Sequence, residues 1–188
     1  MGCWGIMALQ SDSGLDAVLL IQECLPEDGN LSLDQVITWL QSDDWNAPAE
    51  VTDGESHSSP MAVAEIVMKF LDGEAGSLDG GGEEKKFSSV ASFTASKDSL
   101  QWLKQYLSET LRYSREHAAA KEGTNRRWNG WFQKEDWLHW QAHMEGLIGR
   151  LTELLERSED QIELVPRMGQ EMGWQEEMEN KGISMQME

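Results

Sequence analysis

Apolar residues recur at intervals of three and four along much of this 188-residue chain, the spacing that forms one face of an α-helix. The two longest stripes comprise Trp137, Trp140, Met144, Leu147, Leu151 and Leu154, and Leu100, Leu103, Leu107 and Leu111. The pattern predicts a mainly α fold, a single compact domain of about five helices with one or two short strands. We expect the helices near residues 12–24, 32–41, 60–72, 97–118 and 135–157.

Local signals refine three of these helices. Ser11, Ser59 and Ser96 stand where an N-cap is expected, since their hydroxyls can accept the first free amides of a helix. The helix over 60–72 is apolar nearly all round, which predicts that it is the central, most buried one. On the first helix, Leu15, Val18, Leu19 and Gln22 recur at helical spacing, and Ile21 and Leu25 widen the predicted buried stripe.

The domain is predicted to span residues 1–165. Residues 73–86 are rich in glycine, with Gly80-Gly81-Gly82 in the middle, and we expect a flexible loop there. Pro166 ends any helix that reaches it. Residues 166–188 are acidic and rich in methionine with a single aromatic residue, and they are predicted to be a disordered tail because they can bury too little apolar surface.

The net charge of −19 is concentrated in the first half of the chain. Residues 1–84 contain 17 acids and one base, Lys69, a balance of −16, whereas residues 85–165 contain 12 of each. Such a field repels nucleic acids and anionic membranes and attracts basic proteins. We therefore predict a basic protein partner, with no direct nucleic-acid and no membrane partner. The alternative is that the acidity serves only solubility.

The candidate metal ligands are His139 and His143, which lie one helical turn apart and could share an ion. The zincin pattern places a glutamate directly after the first histidine, but Trp140 stands there, and no third ligand is evident. We predict no cofactor and no catalytic residues, and keep an enzyme with a His139/His143 metal site as an alternative.

The two cysteines, Cys3 and Cys24, could pair but do not make a disulfide framework. A thiol–imidazole pair with His57 or His117 has no local signature around either cysteine. The first residues lack the pattern of a secretory signal. We expect a reducing, cytoplasmic setting.

Nine tryptophans are many for this length, and Trp128, Trp131, Trp137 and Trp140 cluster closely. Large aromatic side chains hold small cores together. They also dominate the energetics of protein interfaces. Both interpretations of this cluster stay open.

The opening Met1-Gly2-Cys3-Trp4-Gly5, followed by a polar break at Ser11-Asp12 and a helix start at Leu15-Asp16, resembles the bacterial domain-of-unknown-function family 4259. Cys3 stands where that family usually has alanine, and residues 7–10 depart from its pattern. The resemblance covers about 25 residues. It implies a small, mostly helical bacterial protein and supplies no activity.

These observations favour a non-enzymatic acidic binding protein, most simply an immunity-type inhibitor of a basic partner such as a nuclease toxin. A DNA mimic that occupies a nucleic-acid-binding protein is the alternative inhibitor. The predicted partner-binding residues lie in an acidic loop and are Asp43, Asp44, Trp45, Glu50, Asp53 and Glu55.

Overall fold

Five α-helices and a small three-stranded sheet make up the fold. The computed structural model describes residues 3–52, 57–80, 86–120 and 133–165. The helices are α1 (Asp12–Glu23), α2 (Leu33–Ser42), α3 (Ser59–Leu71), α4 (Lys97–Ala120) and α5 (Lys134–Leu155). The strands are β1 (Asn30–Ser32), β2 (Ser92–Ser96) and β3 (Gln161–Glu163), and short 3-10 helices lie at Ala8–Gln10, Ala75–Asp79 and Phe87–Ser89.

The predicted helical class is confirmed, and all five predicted helices are present with ends within about two residues of expectation. The described residues contain three strands rather than one or two. The predicted Gly-rich loop holds a 3-10 helix in its first part, and residues 81–85 lie outside the described residues. The predicted tail, residues 166–188, also lies outside them.

Helix α3 is the centre of the domain, as its composition predicts. Eleven of its 13 residues are buried. It packs against α1, α4, α5 and the 3-10 helix Ala8–Gln10. At its end Phe70 packs edge-on against Phe93, with ring centroids 4.9 Å apart, which joins the helix to the sheet.

Helices α4 and α5 pack along each other through the two long predicted stripes. Leu100, Leu103, Leu107 and Leu111 are buried on α4. On α5 the buried residues are Trp137, Met144, Leu147, Leu151 and Leu154. Trp140 departs from the prediction, because it is only half-buried and stacks on Trp137 with ring centroids 5.3 Å apart. The described tryptophans of the cluster therefore belong to the packing of α5, and Trp128 and Trp131 lie outside the described residues.

The sheet joins distant parts of the chain. β1 runs parallel to β2 with Leu31 opposite Phe93, and β3 runs antiparallel to β2 with Ile162 opposite Ala95. These four side chains are buried in the common core. The Glu163 carboxylate accepts the Phe93 amide at 2.8 Å, which fixes β3 at the edge of the sheet.

The buried face of α1 agrees only in part with the prediction. Val18 and Ile21 face the core as predicted, together with Gly14 and Ala17, whereas Leu15 and Leu19 point to solvent. Gly14 explains this orientation, because a Cβ added there would lie 1.8 Å from the Ala8 carbonyl oxygen. The side with small residues approaches the 3-10 helix Ala8–Gln10 closely, so the leucines are turned outward.

Candidate protein-binding surface

The outward side of α1 combines exposed leucines with acids. Leu15 is 41% exposed and Leu19 is 54% exposed. Asp12, Asp16 and Glu23 lie on the same side of the helix, because residues three or four positions apart are neighbours on its surface. No lysine or arginine precedes Lys69 in the chain, so this side carries negative charge only.

Trp45 extends this surface from the following loop. It is 66% exposed, and its indole Nε1–H donates a hydrogen bond of 3.1 Å to Asp16 Oδ2. The bond fixes the N–H edge of the ring at Asp16, which follows Leu15 directly and lies one helical turn before Leu19. We call this surface the α1 face and define it as Asp12, Leu15, Asp16, Leu19, Glu23 and Trp45.

A tight turn fixes the loop that carries Trp45. Asp43 Oδ1 accepts the backbone amides of Trp45 at 3.0 Å and Asn46 at 2.7 Å. It also accepts the Asn46 side-chain amide at 3.0 Å. These bonds lower the pKa of Asp43 below its usual value, and the bond from the Asn46 backbone amide has the largest effect. Asp43 therefore shapes the loop, as aspartates do in turns of this kind.

Two further hydrogen bonds fasten the loop to the helices behind it. The Ser59 hydroxyl of α3 donates to the Asn46 carbonyl at 2.8 Å, and the Tyr106 hydroxyl of α4 donates to the Ala49 carbonyl at 2.8 Å. Burial raises the pKa of Tyr106, so the phenol stays protonated and can donate. The loop that carries Trp45 is therefore fixed by the Asp43 turn and by the bonds from Ser59 and Tyr106, without a contribution from a partner.

The predicted N-cap at Ser59 is therefore wrong. Ser59 lies inside α3, and the N-cap residue is Ser58. Ser59 is fully buried, and its hydroxyl donates its hydrogen bond to the Asn46 carbonyl rather than capping the helix. His57 Nδ1 lies 2.9 Å from that hydroxyl, but a fully buried serine cannot meet a substrate, so the contact is structural.

The predicted loop residues have different surroundings. Asp44, Trp45 and Glu50 are exposed, whereas Asp43 is engaged in the turn. Asp53 and Glu55 lie outside the described residues. The structure therefore brings Trp45 to Asp16 of α1, which the loop sequence alone does not indicate.

The two candidate metal ligands have different surroundings. His139 is exposed on α5, whereas His143 Nε2 lies 2.8 Å from Glu65 Oε1. Glu65 is 3% exposed and also accepts the backbone amides of Ala8 at 2.8 Å and Leu9 at 2.9 Å. The pair ties α5 and the N-terminal segment to α3. Among the described residues, no group of three or more histidines, cysteines, aspartates or glutamates is placed to hold a metal ion.

Both cysteines are free thiols. Cys3 is exposed and donates to the Gly5 carbonyl at 2.9 Å. Burial, followed by the charges of Glu23 and Asp43, raises the pKa of Cys24. A thiol with a raised pKa is a poor nucleophile, because the thiolate is the reactive form.

Of the six residues of the α1 face, the sequence indicates only Trp45 as a partner-binding residue. The other five lie on α1 and are not indicated, because the apolar stripe includes Leu15 and Leu19 and places them in the core, although the small residues Gly14 and Ala17 have the same helical spacing. Glu65 is a detectable signal of a buried interaction, since it is the single acid in α3, whose residues are mostly apolar.

No family model matches the sequence, and no curated protein or solved structure is significantly similar to it. The resemblance of the first residues to family 4259 stays a prediction. Within the described part of the chain, no helix combines the length and the apolar character needed to cross a membrane.

Proposed function

We propose that this chain is a non-enzymatic binding protein that captures a basic protein through the α1 face. The observation that carries the proposal is an exposed tryptophan bonded to Asp16 of a helix that also exposes two leucines, on a surface whose charged residues are all acids. Tryptophan is among the residues that contribute most to binding energy. Adjacent exposed apolar side chains within a polar rim are typical of protein-interaction sites.

The acids around the patch select the partner. Asp12, Asp16 and Glu23 border the apolar residues, and Asp44 is exposed directly beside Trp45. Such a rim attracts a basic surface over several ångströms and raises the association rate. It also disfavours a second copy of this chain, because the same acids would meet one another in a symmetric contact.

An immunity-type inhibitor of a basic enzyme, such as a nuclease toxin, is the form of this function that we favour. The apolar centre of the α1 face supports this form over a DNA mimic, which would present acids without exposed leucines. The two free thiols support our proposal that the protein acts in the cytoplasm, where cysteines stay reduced.

The proposal is tested by site-specific photo-crosslinking in a lysate of the source organism. A photoreactive amino acid at Leu19 should capture a basic protein, whereas the same group at Gln105, exposed on α4, should not. The association rate of the captured protein, measured with purified components, should fall about tenfold between roughly 0.02 and 0.5 M NaCl.

Three results would contradict the proposal. They are equal capture from the α1 and α4 positions, an acidic captured protein, and an association rate that does not respond to salt. A Trp45→Ala variant that binds the captured protein as tightly as the wild type would also contradict it, because Trp45 is the most exposed large side chain on the α1 face.

A further inference from the structure

We infer that Trp45 and Asp16 together form a seat for an arginine side chain of the partner. The inference rests on the proposed function for its biological partner, but the geometry of the seat stands by itself. It concerns one aromatic ring, one carboxylate and the hydrogen bond between them.

The first element of the seat is the indole ring of Trp45. Its N–H edge is fixed on Asp16 Oδ2 at 3.1 Å, and the residue is 66% exposed, so a face of the ring is open to solvent. A hydrogen bond from the indole N–H to an anion increases the electron density of the ring. Cations over a tryptophan face are attracted by that density.

The second element is the free side of the Asp16 carboxylate. Oδ2 accepts the indole N–H, and Oδ1 has no hydrogen bond within the described residues. A guanidinium that stacks on the indole can extend its N–H groups toward Oδ1 at the edge of the ring. Arginine fits this arrangement better than lysine, because its planar group stacks on aromatic rings and presents several donors in one plane.

The surrounding charges favour a cation from outside the chain. Asp44 is exposed beside Trp45, and Asp12 lies one helical turn before Asp16. The long basic side chains with assigned partners pair with acids elsewhere, as seen for Lys69 with Glu74, Arg112 with Glu116, Arg115 with Glu145 and Arg150 with Asp72. None of these four cations pairs with Asp16, so the seat can receive a cation that a partner supplies.

The seat is organised before binding. Asp43 holds the turn at Trp45, and Ser59 and Tyr106 fasten the loop to α3 and α4. Little conformational entropy remains to be lost when a ligand arrives, and preorganisation of this kind increases affinity.

The experiment uses the full chain labelled with ¹⁵N and three short peptides of the form Ac-Gly-Xaa-Gly-NH2. Xaa is arginine, lysine or citrulline, which has nearly the shape of arginine but no charge. The readout is the indole Nε1–H resonance of Trp45, assigned by its loss in Trp45→Leu. The indole of Trp39, on α2, serves as the internal reference.

The arginine peptide should shift the Trp45 resonance in a saturable manner and bind about threefold or more tightly than the lysine peptide. The citrulline peptide should cause no shift. Asp16→Asn should weaken arginine binding about fivefold or more, since asparagine still accepts the indole N–H but carries no charge. Glu159→Gln removes the same charge in the exposed turn after α5 and should weaken binding less than about twofold.

Two outcomes would overturn the inference. Equal weakening by Asp16→Asn and Glu159→Gln would show that only net charge matters, and equal binding of the lysine and arginine peptides would exclude an arginine-specific seat. Neither outcome decides the proposed function, because a basic protein could still be crosslinked at Leu19. Conversely, arginine binding without any crosslinked protein would refute the proposed function and leave the seat intact.

Discussion

Glu65 provides a direct test of how the domain is held together, because its buried carboxylate accepts hydrogen bonds from three other groups. Glu65→Leu leaves the amides of Ala8 and Leu9 without an acceptor. Each buried unpaired amide costs about 1–3 kcal/mol. The new leucine recovers about 1.5 kcal/mol or more through apolar burial. His143 is 22% exposed and can turn to water, so the net loss in the free energy of unfolding should be about 2–4 kcal/mol.

The conservative change should cost less. Glu65→Gln keeps an oxygen for the Ala8 amide and for His143, but its NH2 group cannot accept the Leu9 amide. One lost bond predicts a loss of about 1–2 kcal/mol. The matched control is Glu74→Gln, which removes an exposed carboxylate paired with Lys69 and should cost less than about 0.5 kcal/mol.

Urea unfolding followed by tryptophan fluorescence measures these differences. Hydrogen exchange adds a local readout, since the Ala8 and Leu9 amides should exchange faster in both Glu65 variants while the amides of α4 keep their relative protection. The reasoning is refuted if Glu65→Leu is no less stable than Glu74→Gln, or if exchange at Ala8 and Leu9 is unchanged.

Three further changes test other parts of the structure. Thr110→Val should raise the free energy of unfolding by about 1 kcal/mol in urea titrations, because the buried Thr110 hydroxyl has no hydrogen-bond partner among the described residues. Thr152→Val, which removes a hydroxyl bonded at 2.8 Å to a carbonyl, should not be stabilising. Gly14→Ala should cost about 2 kcal/mol or more by the same assay, since its Cβ would meet a backbone oxygen, whereas Gly149→Ala should gain about 0.5–1 kcal/mol because open space surrounds that position in α5. Folding lowers the pKa of Asp43 below its usual value of 3.8, so the ionised carboxylate stabilises the fold above that pH, and this contribution is lost as the pH falls. Below pH 4 the melting temperature of Asp43→Asn should therefore fall less steeply than that of the wild type, and an identical slope would contradict this reasoning.

Local sequence signals are sufficient to predict the positions of the helices. Ser11 accepts the Gly14 amide at 3.1 Å, and Ser96 accepts the Ser99 amide at 3.1 Å, as expected of N-caps. The α4 and α5 stripes are buried as predicted, apart from the half-buried Trp140, because a long helix with apolar residues on one side removes them from water by packing that side against the core. These are properties of neighbouring residues, so a sequence can reveal them.

The sheet could not be predicted with the same ease. β1 and β3 have three residues each, too few to show a clear alternation of apolar and polar side chains. They exist because the backbone of β2 supplies hydrogen bonds to both from distant parts of the chain. Such pairing depends on which distant segments come together in the fold, and the spacing of apolar residues within a short segment does not reveal this.

The candidate binding surface shows the same division. The sequence by itself determined the acidic character of the first half of the chain, the five helices and the exposed position of Trp45 in a polar loop. Only the tertiary structure decided that Leu15 and Leu19 face solvent, since the close approach of Gly14 to the Ala8 carbonyl rotates α1 about its axis. It also decided that Trp45 meets Asp16, 29 positions away, because Ser59 and Tyr106 hold the loop against the helices. Helix formation is governed by neighbours along the chain, whereas a surface is assembled from segments whose relative orientation is set by packing.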